Sequence, residues 1–288
     1  MRCFSSSFQH QCQAKSFIDS PERSQVGRLN HIYIGTNTKM YQTPSQAAAY
    51  LAELTALTKD ISADDLTLFV IPSFTSLERA GRVTENSSII LGAQNMHWEE
   101  KGQFTGEISP PMLKETGVSI IEIGHSERRH IFQETDDDIE KKVRAAVIHG
   151  FTALLCVGET LKQRQWEVAD EILRLQLKIG LHAISPRQYS QIWIAYEPVW
   201  AIGENGIPAT AEYVAARHKI IRETLAEQFG QAAALEIPVL YGGSVNLENT
   251  PDLIKTPNVD GLFVGRSAWE APRFNQLIRS AMSCFKSL

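Results

Sequence analysis

Several things are scarce in this 288-residue chain. No run of apolar residues approaches the ~18–20 needed to cross a bilayer, so no membrane partner is expected. Positive charge is not in excess: 28 Lys and Arg stand against 33 Asp and Glu, a formal net charge of −5. That balance gives nothing with which to hold nucleic acid. The four cysteines, Cys3, Cys12, Cys156 and Cys284, form neither a CxxC pair nor the spacing of a disulfide framework. Cys156 lies within an apolar run and is expected to be a buried free thiol, which suits a reducing, cytoplasmic setting. His, Cys and carboxylates show no ligand spacing such as HxxxH, so no metal is expected. A Gly-rich dinucleotide turn is also missing after the first strand, where the chain reads Gly35-Thr36-Asn37-Thr38-Lys39.

What is present is regular. Hydrophobic content is 43%, ordinary for a globular protein, and the length fits one large α/β barrel or two smaller domains. Residues 1–30 are Ser/Gln-rich, without sustained periodicity and without the apolar core of a secretory signal, and are expected to be a disordered extension. From 31 to 288 short apolar strands alternate with helical patterns. The strands are predicted at 32–35, 66–71, 89–93, 119–123, 153–157, 192–196, 238–241 and 261–264. The helices are predicted at 45–59, 76–85, 110–115, 136–149, 161–182, 211–229, 247–254 and 272–285. Short, continuously apolar strands suit a parallel sheet covered on both faces. Eight uninterrupted βα units predict a single-domain, closed (β/α)8 barrel of the α/β class.

In such a barrel, chemistry belongs to the loops after the strands' C-terminal ends. Strand 192–196 delivers Glu197, and Pro198 forbids its continuation. A loop then runs to Pro208. A carboxylate beside a closing loop suits proton transfer, because closure excludes water. Alone, Glu197 reads equally well as a solvated loop residue. Strand 119–123 delivers His125 in the run Gly124-His125-Ser126-Glu127-Arg128-Arg129. Other strand ends offer Asn37 and Lys39, Gln94 and Asn95, Gly242-Gly243-Ser244, and Gly265-Arg266. Groups from six strands would meet on one rim.

The stretches AYEPVWAIG (195–203) and GHSERR (124–129) resemble the triosephosphate isomerase family, and the resemblance extends over nearly everything from Ile32 onward. That family is itself a standard example of paired acid–base groups, so the roles that follow are what the resemblance implies. It implies a TIM barrel and a cofactor-independent isomerase that shifts a carbonyl through an enediolate on a small phosphorylated sugar. Glu197 would be the base. His125 and Lys39 would donate to the oxyanion, with Asn37 as an amide donor and Glu127 an accessory member. Gly203, Ser244 and Gly265 would hold the phosphate. Trp200, Ala201, Ile202 and Glu204 would belong to the lid, with Trp200 against Glu159. The loop 94–107 would enter a second subunit, with Thr105 near its tip, making a homodimer; a free loop would leave Met96, Trp98 and Phe104 exposed.

Three departures from the family pattern bear on the substrate. Thr38 replaces the usual Trp, the lid tip GENGIPAT lacks the usual basic residue, and Arg266 replaces a glycine. An arginine fork there can meet a phosphate or hydroxyl directly. GAQNMHW, GENGIPA and DGLFVGRSAW resemble the L-erythrulose-1-phosphate isomerase subfamily. That resemblance implies conversion of L-erythrulose 1-phosphate to D-erythrulose 4-phosphate, in sugar-alcohol catabolism. The alternatives are the glycolytic triose phosphate reaction and, more distantly, a barrel that binds a phosphorylated metabolite without turning it over.

Overall fold

The computed structural model describes residues 31–203 and 206–288. The extension expected over 1–30, and Glu204 of the expected lid, lie outside the described residues. Eight parallel strands close on themselves in chain order: β1 (Ile32–Asn37), β2 (Leu66–Ile71), β3 (Ile90–Ala93), β4 (Ile120–Ile123), β5 (Thr152–Val157), β6 (Ile192–Tyr196), β7 (Val239–Tyr241) and β8 (Gly261–Val264). β8 returns to β1 with Tyr33 opposite Gly261, so no edge is left unpaired. Helices follow the strands and cover the outside.

Period-2 alternation sorts the strand side chains into two apolar populations. Outward-facing residues such as Ile34, Leu68, Ile121, Leu155 and Ile194 pack against the helices. Inward-facing Phe69, Ile71, Ile120, Leu154, Cys156, Ala195, Leu240 and Phe263 fill the lumen, with Tyr33 and Trp193 packed against them. Phe69 stacks on Phe263 with centroids 5.7 Å apart and meets Trp193 edge-on at 5.6 Å. Room for that ring comes from Gly35, where a Cβ would lie 2.2 Å from Phe69 Cζ. The lumen is a packed core that supports a rigid rim.

Thr43, Thr135 and Thr160 each close a reciprocal capping box at a helix start, with Gln46, Asp138 and Gln163. The helix predicted at 161–182 is in fact two, Leu161–Gln165 and Ala169–Gly180. Glu167 breaks it by adopting φ +59, a left-handed conformation that helical periodicity does not reveal. The helix predicted from 247 begins at Thr250, because Asn246 and Asn249 side chains bond the preceding backbone in a turn. Cys156 is buried and Cys284 half-buried, both as free thiols. A free loop 94–107 would leave three apolar side chains exposed; within one chain only Phe104 is. Met96 is fully buried in its own chain and Trp98 half-buried, leaving Phe104 at 44% exposure beside the His97 ring. No described helix is long and apolar enough to cross a membrane.

Candidate active site

Where β4 ends, His125 serves as N-cap of a short helix, Ser126–His130, which the apolar periodicity did not predict. Its Nδ1 accepts the Glu127 backbone N–H at 3.1 Å. A ring nitrogen that accepts carries no proton, so the imidazole is the neutral tautomer with its N–H on Nε2. That Nε2 points at Glu197 Oε2, 3.7 Å away. Both side chains are buried, His125 at 5% and Glu197 at 5% exposure.

Glu197 follows β6 and is fixed by its backbone N–H to Val157 O at 2.8 Å. The neighbouring chain comes very close: a Cβ on Gly242 would lie 2.7 Å from Glu197 Cγ, so only glycine fits there. Oε2 of Glu197 has no hydrogen-bond partner. Burial raises the carboxyl's pKa, and the nearby His125 and Lys39 only partly offset this. The group is shaped to take up a proton.

β1 supplies Asn37 and Lys39. Lys39 adopts φ +49, and its ammonium reaches Glu127 Oε1 at 2.6 Å. Asn37 Oδ1 accepts the Lys39 backbone N–H at 2.6 Å. Gln94 donates to Lys39 O at 2.8 Å and Trp269 Nε1 to Asn37 O at 3.0 Å, so the turn is held from two sides. Gln94 thus supports the rim, whereas Asn95 is turned away to accept from the buried Lys142 at 2.9 Å.

Asn37, Lys39, His125, Glu127 and Glu197 line one open cleft of ≈ 480 Å³, together with Gly203, Ser244, Gly265 and Arg266. The backbone turns there suit an anion, since peptide N–H groups are fixed partial positive charges. Arg266 is exposed, and its Nη2 donates to Gly203 O at 3.1 Å, tying the turn after β8 to the lid segment. Of that segment, Ala201 and Ile202 also line the cleft. Trp200 is anchored outside it. Its indole N–H donates to the fully buried Glu159 at 2.7 Å, and Tyr196 and Tyr213 donate to the same carboxylate. The Arg164 guanidinium covers the Trp200 ring at 3.9 Å.

Apolar patterning did not point to Glu122, in the middle of β4. It is fully buried, and its Oε2 accepts from Asn37 Nδ2 at 2.7 Å. The available signal was an acid inside an otherwise apolar strand. Among the described residues, no group of three or more His, Cys, Asp or Glu is arranged to hold a metal ion.

A closed eight-stranded barrel with a buried carboxylate, one of its oxygens without a hydrogen-bond partner, facing an imidazole across its C-terminal rim belongs to the α/β-barrel enzymes that move protons on small anionic ligands. Comparison with known proteins narrows this. The family model for triosephosphate isomerase matches residues 32–281. The chain is 46% identical over 249 residues to an L-erythrulose-1-phosphate isomerase of Rhizobium etli, covering 86% of this chain and 91% of that one. It is 44% identical over 250 residues to the protein of that name from Rhizobium meliloti, covering 86% and 96%. Among solved structures, a triosephosphate isomerase from Bartonella henselae superposes with a TM-score of 0.78 at 35% identity, covering 87% of this chain and 98% of that one. The chain belongs to the triosephosphate isomerase family and is a sugar-phosphate isomerase.

Proposed function

We propose that the chain interconverts L-erythrulose 1-phosphate and D-erythrulose 4-phosphate. The observation that carries the chemistry is the unpaired Glu197 oxygen 3.7 Å from the His125 Nε2–H. Support for the substrate comes from the relatives at 44–46% identity, which carry that name. Glu197 takes the proton from C3, and the electron pair moves onto the C2 ketone oxygen. His125 and Lys39 donate to the oxyanion that forms, as groups already in place before the charge develops. The hydroxyl proton passes from O3 to O2, Glu197 returns its proton to C2, and the ketone now stands at C3. Asn37 and Glu127 hold Lys39. Gly203, Ser244 and Gly265 present backbone to the phosphate, while Arg266 works through the lid. Ala201 and Ile202 cover the cleft and Trp200 anchors them.

The tetrulose differs from the triose ketone by a hydroxymethyl in place of one hydrogen, so the same base and donors serve both. A pocket that merely tolerates such a group discriminates by ~10²-fold or less. The 35% identical triosephosphate isomerase keeps the triose reaction as the second reading. The barrel from residue 31 onward is read as the catalytic domain. Two copies are read as pairing through the loop 94–107, whose tip, Glu99–Glu107, is exposed throughout. A cytoplasmic setting fits the free thiols. The test is initial rates on L-erythrulose 1-phosphate and D-glyceraldehyde 3-phosphate side by side, with Glu197→Gln as control. The expected result is a kcat/KM at least ~10-fold higher for the tetrulose phosphate, about 1.4 kcal/mol. A lead for the triose phosphate would assign the glycolytic reaction, and turnover of neither would leave a binding barrel.

A further inference from the structure

Glu122 takes no part in the steps above, yet a carboxyl in the middle of an apolar barrel is costly. β4 turns Ile120 and Glu122 into the lumen, where Glu122 lies level with Leu154 of β5. The side chain is 0% exposed, and among the described residues it forms no ion pair. Its one short contact is the 2.7 Å hydrogen bond from Asn37 Nδ2, and Oε1 lies 4.0 Å from Cys156 Sγ. Asn37 in turn accepts the Lys39 backbone N–H, so both ends of that amide are specified. This chain of contacts ends at Lys39, a non-glycine residue in the left-handed region. Such a conformation persists only when its surroundings over-determine it.

We propose that Glu122 is a positioning residue of the isomerase: its carboxyl sets the Asn37 amide and, through it, the backbone from which the Lys39 ammonium enters the cleft. The inference rests on the isomerase reading of this site. The buried site favours the neutral form of Glu122. Burial is the largest influence, and the charges of Glu197 and Glu127 push the same way, against the Asn37 hydrogen bond and Lys39. Cys156, the other titratable group beside it, is itself held protonated by burial. A neutral acid still offers Asn37 an acceptor oxygen at Oε2, with Oε1 on the side of the Cys156 thiol, which donates toward it. Glutamine offers the same acceptor and an N–H in the same shape; leucine offers neither.

The experiment compares wild type, Glu122→Gln, Glu122→Leu, Asn37→Ala and the Glu122→Leu/Asn37→Ala pair, by kcat, KM, pH profile and melting temperature. Glu122→Gln should stay within ~3-fold of wild type in kcat, with the acid limb of kcat/KM unmoved, because it removes no charge. Glu122→Leu should lose ~10–100-fold in kcat, the scale of a small misplacement of a catalytic group, while melting near wild type. The double variant should be no worse than Asn37→Ala, since both changes break one link. Undiminished kcat in Glu122→Leu would overturn the proposal. So would a Glu122→Gln enzyme as impaired as the leucine variant with its acid limb displaced, which would make the charge the active feature. Should the leucine variant fail to fold, the Glu122→Gln pH profile still decides. A wild type without isomerase activity would remove the underlying reading itself, an outcome distinct from an active enzyme indifferent to Glu122.

Discussion

Two glutamates, one two residues past the start of β4 and one just past the end of β6, illustrate how little residue type says about role. Glu197 faces the cleft with a free oxygen, and its raised proton affinity predicts a working pH. kcat/KM should fall as pH drops through that pKa, with an acid limb above the ordinary carboxylate value of about 4.3. A pH–rate profile checks this, and Glu197→Gln should lower kcat by ~10²–10⁴-fold. Glu122 predicts a stability effect of definite sign. Its pKa is raised in the fold, so the unfolded chain gives up the proton first. The contribution is therefore complete below about pH 4.3 and is lost as pH rises toward the folded pKa. Glu122→Gln escapes that loss. Its stability advantage over wild type should grow with pH by up to ~1.4 kcal/mol per unit while Glu122 stays protonated. Denaturant melts at pH 5 and pH 8 measure it, and a constant difference would contradict a buried neutral acid.

At the scale of elements, short segments with specific hydrogen bonds matter more here than long periodic ones. The Val199–Ala201 turn belongs to the proposed lid, and Trp200 is anchored there by its bond to Glu159. Trp200→Phe keeps the ring over Tyr213 and under Arg164 but removes the N–H. A hydrogen bond to a charged group contributes ~1.5–3 kcal/mol, so a full loss would lower kcat/KM by roughly 10- to 150-fold. Steady-state kinetics test this, and an unchanged kcat/KM would show the lid to be anchored elsewhere. Helix Asp136–Ile148 starts from the Thr135–Asp138 capping box. Thr135→Ala should cost ~1 kcal/mol and lower Tm by roughly 2–4 °C, with activity intact. Apolar spacing marked neither these caps nor the break at Glu167, because it records neither a side-chain hydrogen bond nor a left-handed residue.

For the whole molecule, closure of the barrel depends on buried polar ties as well as on its two apolar layers. Arg222 donates to Ala234 O, Ile237 O and Asp260 Oδ2, joining helix Ala211–Phe229 to the entries of β7 and β8. Removing one partner of a buried pair leaves the other charge uncompensated, so Arg222→Met should cost ~3–5 kcal/mol in a denaturant melt. Association belongs to the same scale. Phe104 in the otherwise polar, exposed tip 99–107, and Met40 and Tyr41 beside Lys39, are exposed apolar side chains. Sedimentation should give twice the chain mass of 32.2 kDa, and deletion of 99–107 should give a monomer of lower kcat.

The sequence by itself determined the architecture, since short apolar runs alternating with helical periods leave few ways to bury both faces of eight strands. It also determined the rim. In a closed parallel barrel the strand's end fixes which loop meets the cleft, so Lys39, His125, Glu197 and the turns after β7 and β8 could be read off as neighbours. Only the tertiary structure decided their states and partners. It gave Nδ1 of His125 a backbone donor, left one Glu197 oxygen unpaired, and spent Asn95 on Lys142. It also placed Glu122 under Asn37, a contact across 85 positions of chain. Proton position and hydrogen-bond pairing depend on distances of a few ångströms between residues remote in sequence, and those distances exist only once the barrel has closed.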